Sequence, residues 1–369
     1  MKPVVLVIIA GLVLAAVLLA GCTGNIPLIH PPVAYPELSP VPGQGEMTTP
    51  GYSFRFERGE YHLTFPVDRG IYEAARAQDK RARIYDASVG EEDWTRGLYR
   101  AMILDPAEDP VYDRVLSEFR EIRDEEHLDE DEYLELIACF VQQLPYQTIH
   151  DTDPKYPVET LVEGSGDCDD KSLLLAGLLD REGYQVSLLY FTGEKHMAVG
   201  VGATDGTFRN TGLAYVETTN LSLVGIPASE LEGGTTLNSD PLVIPVRTEG
   251  TRYSRCNETG FIWTEMNKAG DDIAMTGPVL EQTYQEMEDL SDRIDAQNGE
   301  MQALKREGRI SSYNNGVAEY NRMVTEYNAL LDRYQALADE YNRAVELHNT
   351  IMSRLYDRKG LYLELRGRG

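Results

Sequence analysis

Gly164-Ser165-Gly166-Asp167-Cys168-Asp169-Asp170-Lys171-Ser172 is the stretch on which the reading of this chain turns. A glycine-rich turn ends at a cysteine, and an apolar run (Leu173, Leu174, Leu175, Ala176, Leu178, Leu179) follows with the length of a helix. Arg181-Glu182-Gly183 closes it, with Gly183 placed as the left-handed residue after the helix. A thiol at a helix N-terminus sits at the positive end of the helix dipole, which favours the thiolate. The helix is apolar on nearly all sides and is expected at the centre of a domain. A cysteine there can simply pack as a small hydrophobe. Asp167, Asp169 and Asp170 argue against that, because three carboxylates do not share a dry pocket.

The 369 residues are enough for two or three domains. Lys and Arg number 34 against 61 Asp and Glu, a formal charge of −27. Such an excess repels nucleic acid and anionic lipid, and a nucleic-acid function is not expected. Four cysteines (Cys22, Cys139, Cys168, Cys256) are too few for a disulfide scaffold.

Residues 1–22 form a targeting segment. Lys2 precedes an almost unbroken apolar run from Val4 to Leu18, and Leu19-Ala20-Gly21-Cys22 follows at once. This resembles a lipoprotein signal peptide, with Cys22 as the lipidated mature N-terminus. The alternative is an uncleaved membrane anchor, since the run is close to spanning length. Either way the remaining chain is expected at the cell membrane, facing outside the cytoplasm. Residues 23–50 are rich in proline and read as an extended spacer.

Residues 51–130 read as a β-hairpin followed by helices. Phe54 and Phe56 alternate with polar residues, as do Tyr61, Leu63 and Phe65. Ile71 to Arg83, Glu91 to Leu104 and Val111 to Arg123 carry helical periodicity. In residues 131–250 a helix from Asp131 ends at Leu144-Pro145-Tyr146, and the cysteine helix comes next. Three strand-like runs follow, from Tyr184 to Phe191, His196 to Ala203 and Ala214 to Thr219, with a fourth from Leu242 to Val246. In residues 276–369, Tyr313, Tyr320, Tyr327, Tyr334 and Tyr341 recur every seven residues. Val317, Val324, Leu331, Ala338, Val345 and Met352 make a second series, and Leu280, Met287, Ile294 and Met301 an earlier one. With Gly308 between the stretches, this predicts an antiparallel helical hairpin, a coiled coil with tyrosine in its core layer.

A cysteine nucleophile needs a base and a group to orient that base. His196 opens one strand and Glu217 lies on the next. Spacing alone also allows a turn histidine and a solvent-facing glutamate. Five segments carry a stronger signal: Phe140-Val141-Gln142-Gln143-Leu144-Pro145-Tyr146, Tyr156-Pro157-Val158-Glu159-Thr160-Leu161, Gly166 to Ser172, Lys195-His196-Met197-Ala198-Val199 and Tyr215-Val216-Glu217-Thr218-Thr219. In this order they resemble the transglutaminase-like superfamily, closest to its prokaryotic cysteine-protease-like branch.

The resemblance implies an α+β fold with a papain-like core, in which a central cysteine-bearing helix packs on an antiparallel sheet. It makes Cys168 the nucleophile, His196 the base and Glu217 the orienting acid, where the family more often has Asp. It also makes Gln142 the oxyanion donor, together with the Cys168 backbone N–H. Calcium at Asp167 and Asp169, as in some extracytoplasmic members, is a further implication; no other cofactor is expected. Cys139 and Cys256 either pair in an oxidising exterior or stay free, and the apolar setting of Cys139 favours the free form.

Two functions follow. One is an anchored enzyme that attacks a peptide or glutamine carboxamide carbonyl and hydrolyses the thioester. The other is a non-catalytic surface protein that binds through the papain-like domain and docks a partner on the coiled coil.

Overall fold

The computed structural model describes residues 31–39, 46–148, 153–228, 231 and 234–367. The signal or anchor segment and Cys22 lie outside them. In chain order the elements are β1 (Val33–Ala34), β2 (Met47–Thr48), β3 (Gly51–Phe56), β4 (Gly59–Thr64), β5 (Val67–Asp68), α1 (Arg69–Ala77), β6 (Arg83–Ile84), α2 (Glu91–Ile103), α3 (Asp109–Glu126), α4 (Glu130–Gln143), α5 (Pro157–Glu163) and α6 (Cys168–Arg181). Then come β7 (Val186–Phe191), β8 (His196–Gly202), β9 (Leu213–Val216), β10 (Leu242–Arg247), α7 (Cys256–Arg306), α8 (Ile310–Met352) and α9 (Arg358–Gly367). The class is mixed α+β, with small antiparallel sheets and long C-terminal helices.

Helix α6 forms where its caps dictate. The Asp167 side chain accepts from the backbone N–H groups of Asp169 and Asp170, and Asp170 reaches back to the Asp167 N–H. This capping box satisfies donors that the first turn leaves free. At the other end Gly183 (φ 83°) lets its own N–H bond Asp180 O and the Tyr184 N–H bond Leu179 O, a complete Schellman stop. Between the caps Leu173, Leu174, Leu175, Leu178 and Leu179 are all fully buried. Truncating any one of them to alanine costs about 2–5 kcal/mol.

That helix packs on one face of a four-stranded antiparallel sheet of order β10-β7-β8-β9. Leu188, Met197, Val199 and Val216 turn toward it, as strand alternation requires. Leu189, Phe191, Ala198, Leu213 and Tyr215 form a smaller cluster on the opposite face. The Ser172 hydroxyl donates to Met197 O at 3.2 Å, fixing the height of α6 on β8.

The spacer expectation for residues 23–50 fails over 31–39. Val33 and Leu38 are buried, β1 pairs with β6, and the Leu38 N–H donates to Asp105 Oδ2 at 2.7 Å. A side chain at Gly97 would meet the Tyr35 ring, so the bare glycine lets this segment lie flat on α2. Prolines that cannot build a core still deliver Val33 and Leu38 to one.

The C-terminal hairpin starts earlier than its heptads. Helix α7 begins at Cys256 and passes through Pro278 without breaking. Its first turns are apolar toward the body, where Ile262 and Met266 pack with Leu223, Ile226, Ile351, Leu361 and Leu365. The deepest residues of the seam also differ from those expected. On α8 Met323, Ala344 and Ile351 are buried, whereas Tyr313, Tyr320, Tyr327, Tyr334 and Tyr341 are only half-buried. Tyr334 meets Tyr284 with ring centroids 6.0 Å apart, and Tyr341 lies over Gly277. A half-buried site keeps the phenol oxygen wet while its ring covers apolar surface. The tyrosines therefore face α7, while Met323, Ala344 and Ile351 lie deeper in the interface.

Candidate active site

The turn before α6, the start of β8 and the end of β9 converge at one end of the sheet. His196 and Glu217 are 5% and 2% exposed, so neither is the solvent-facing residue that spacing alone allows. Nε2 of His196 lies 3.5 Å from Glu217 Oε2. A third residue joins them. The Tyr215 hydroxyl donates to Glu217 Oε2 at 2.7 Å, and its oxygen lies 3.1 Å from His196 Nε2. With its proton committed to the carboxylate, the phenol oxygen accepts from Nε2–H. Nδ1 is then the ring nitrogen left with a lone pair.

Sequence reasoning missed Tyr215. One signal was present: Tyr215 and Glu217 are two apart in the chain, the spacing at which strand residues share a face.

The other oxygen of Glu217 is fully used. Oε1 accepts from the N–H groups of Thr218 and Thr219 at 3.0 and 2.9 Å and from the Thr219 hydroxyl at 2.6 Å. Burial alone would raise this carboxyl group. The bond and charge of His196 and the Thr219 donors outweigh burial and hold it down to about 2.

Cys168 approaches from the helical side. Its sulfur lies 4.0 Å from Lys195 O, takes a backbone hydrogen bond from Met197, and donates to Asp169 Oδ1 at 3.5 Å. The backbone on either side of His196 thus cradles the sulfur, while the imidazole itself makes no hydrogen bond to it among the described residues. The expectation of a thiolate favoured by the helix dipole is reversed here. Burial pushes the thiol up, Asp169 and Asp167 add to the rise, and the Met197 bond only partly offsets it. Asp169 is itself pushed up to about 6, by burial and by the charge of Asp167.

Gln142 is brought close to Glu217 but not as a free donor. Both protons of its amide are taken, by Glu217 O at 2.9 Å and Ser222 O at 3.0 Å, and Oε1 faces the Ser222 N–H at 3.4 Å. It ties α4 to the loop after β9. Gln143 does the same for β3, donating to Arg55 O and accepting from the Arg55 N–H. Neither glutamine presents an amide to Cys168. The Asp167 cap takes the N–H groups of Asp169 and Asp170 and leaves the Cys168 backbone N–H aside.

The carboxylates around the cysteine have other duties. Asp167 caps the helix, and Asp169 lies between Cys168 and the Tyr99 hydroxyl. Asp170 accepts from the Lys155 N–H at 2.7 Å. Among the described residues no group of three or more His, Cys, Asp and Glu side chains is arranged to hold a metal ion, so the calcium expectation gains no support from donor geometry. The Lys171 side chain, fully buried, donates to Gln142 O at 3.1 Å and Leu144 O at 2.8 Å. Burial brings it down to about 8. Cys139 and Cys256 are free and buried.

Among the described residues no helix is long and apolar enough to cross a membrane. Comparison with protein families, with curated proteins and with solved structures found no match to this chain.

Proposed function

We propose that the chain is a transglutaminase-like cysteine hydrolase with a papain-like core, held at the outer face of the cytoplasmic membrane by its N-terminal segment. The observation that carries the proposal is the buried His196–Tyr215–Glu217 relay, set at the strand end whose backbone cradles the Cys168 sulfur. A buried, fully bonded glutamate beside a histidine has little structural purpose on a sheet face otherwise filled by aromatic and aliphatic side chains.

In this proposal the Cys168 thiol leaves Asp169 and passes its proton to His196 Nδ1. The sulfur attacks the carbonyl carbon of a peptide or glutamine carboxamide. The oxyanion is met by the Cys168 N–H at the positive end of α6. The imidazolium returns its proton to the leaving nitrogen as the C–N bond breaks, leaving a thioester. Water then gives a proton to His196 and attacks the thioester, which releases the acid and restores the thiol. Glu217 supports the imidazolium through Tyr215 and through its own charge.

A thiol-directed probe applied to the intact protein tests the reading. Labelling concentrated at Cys168, with a burst of nitrophenolate from p-nitrophenyl acetate that disappears in Cys168→Ala, supports it. Labelling spread evenly over Cys139, Cys168 and Cys256, with no burst, sinks it. One observation favours a second reading, a non-catalytic binding domain: the Cys168 sulfur lies 3.5 Å from Asp169 Oδ1, where burial and the Asp169 and Asp167 charges push the thiol up. The same experiment separates the two.

A further inference from the structure

A groove of about 760 Å³ runs up to the candidate site from the side of α2. One wall is the α2 face carrying Glu91, Trp94 and Leu98, residues spaced to share one side of a helix. Tyr190 and Leu242, at the ends of β7 and β10, continue it. At its inner end Tyr99 packs edge-to-face on Tyr190 with centroids 5.8 Å apart. The Tyr99 hydroxyl lies 3.5 Å from Asp169 Oδ2, and the other oxygen of Asp169 accepts from the Cys168 sulfur at 3.5 Å. The groove thus ends one carboxylate away from the thiol.

Its lining is unlike the rest of this acidic surface. Trp94, Leu98, Tyr190 and Leu242 are half-buried and line the groove. The volume falls within the range of clefts that take small molecules or side chains. Three of the five charged residues that line it are paired: Lys80 with Glu159 at 2.6 Å, Arg81 with Asp79 at 3.1 Å and Glu92 with Arg96 at 3.1 Å. What the groove offers is apolar and aromatic area next to a reactive group.

Resting on the hydrolase reading above, we propose that this groove binds a bulky aromatic or aliphatic side chain of the polypeptide substrate, beside the residue whose carbonyl meets Cys168. Trp94 and Leu98 are its specificity-determining residues. The occupant is an extended polypeptide because the groove is an open trough between α2 and residues 80–84, and its inner residue Tyr99 reaches Asp169 beside Cys168. Within such a trough a neighbouring side chain can lie while the main chain passes the sulfur.

The test uses the full chain and tripeptides of the form acetyl-Ala-X-Ala-amide, with X as Trp, Phe, Leu, Gly or Glu. Two signals are read, protection of Cys168 from iodoacetamide and, with the Phe, Leu, Gly and Glu peptides, the change in Trp94 fluorescence (Trp94→Phe is the blank for Trp263). Peptides with Trp, Phe or Leu should bind roughly tenfold or more tightly than those with Gly or Glu, the effect of about 1.4 kcal/mol. Leu98→Trp fills the groove and should abolish that preference. Trp94→Ala provides a second variant should Leu98→Trp misfold by circular dichroism. Equal binding of all five peptides, or an unchanged preference in both variants, overturns the proposal. Preferential binding with a Cys168 no more reactive than Cys139 would remove the hydrolase reading and leave an apolar peptide groove without chemistry.

Discussion

Tyr215 donates a hydrogen bond to Glu217 at 2.7 Å, and this bond decides which nitrogen of His196 is free. The phenol oxygen is committed as an acceptor toward Nε2, so the lone pair stays on Nδ1. Tyr215→Phe keeps the ring in its cluster with Phe191 and Phe208 but removes the bridge. Acylation of Cys168 by p-nitrophenyl acetate should fall roughly a hundredfold, the cost of a misplaced catalytic group. Thermal unfolding should move little. Unchanged acylation would show that the 3.5 Å contact between His196 and Glu217 suffices alone.

Glu217→Gln removes the charge and leaves the shape. Its effect on acylation should be at least as large as that of Tyr215→Phe, and the double variant should lose little more, because the two act as one unit. Independent, multiplying effects would place Tyr215 and Glu217 on separate tasks.

Asp169 opposes the thiolate. Asp169→Asn should speed alkylation of Cys168 at neutral pH, since it removes the neighbouring charge without changing size. It should also change the pH dependence of folding. The folded carboxyl titrates at about 6 against 3.8 for the free group. Stability tied to the protonated form is fully present below the lower value and lost as pH rises through the upper one. Urea midpoints should therefore show Asp169→Asn gaining on the parent between pH 4 and 7, in units where the gap is near zero at the acid end. A constant gap across that range would mean that Asp169 ionises normally.

Arg358 on α9 donates to Glu135 at 2.6 Å deep in the interface between hairpin and body, and Tyr253 adds a bond to the same carboxylate at 2.5 Å. Arg358→Met leaves Glu135 buried without its counter-charge and should cost about 3–5 kcal/mol by chemical denaturation. Adding Glu135→Gln should recover most of that loss. Failure to recover would show that the arginine stem or its second pair, with Glu258, holds the interface.

The elements that were legible in the sequence owe their form to local rules. The capping residues of α6, its closing Gly183 and the alternation in β7, β8 and β10 are written within a few residues of each other. What was not legible depends on packing. The tautomer of His196 is set by a tyrosine hydroxyl that reaches it from the neighbouring strand and is itself tied to Glu217. The thiol at Cys168 was read from the helix dipole, and desolvation and two aspartates outweigh that field. Gln142 matched a family position, yet its amide is consumed by Glu217 O and Ser222 O, a contact between residues far apart in the chain. The heptads gave the helices but not Met323, Ala344 and Ile351 as the deepest residues of α8, because periodicity does not say which stripe an antiparallel partner will cover most fully.

The hairpin has one further consequence. Helix α7 has 51 residues and so extends about 75 Å. Its root packs on Leu223 and Ile226, a few residues past Glu217 in the loop that Gln142 also clasps. Anything grasping the far tip pulls with a long moment arm on a fulcrum at Glu135 and Arg358. A sideways force there is multiplied at the root, and the first backbone to feel it is the loop that carries the acid of the candidate site.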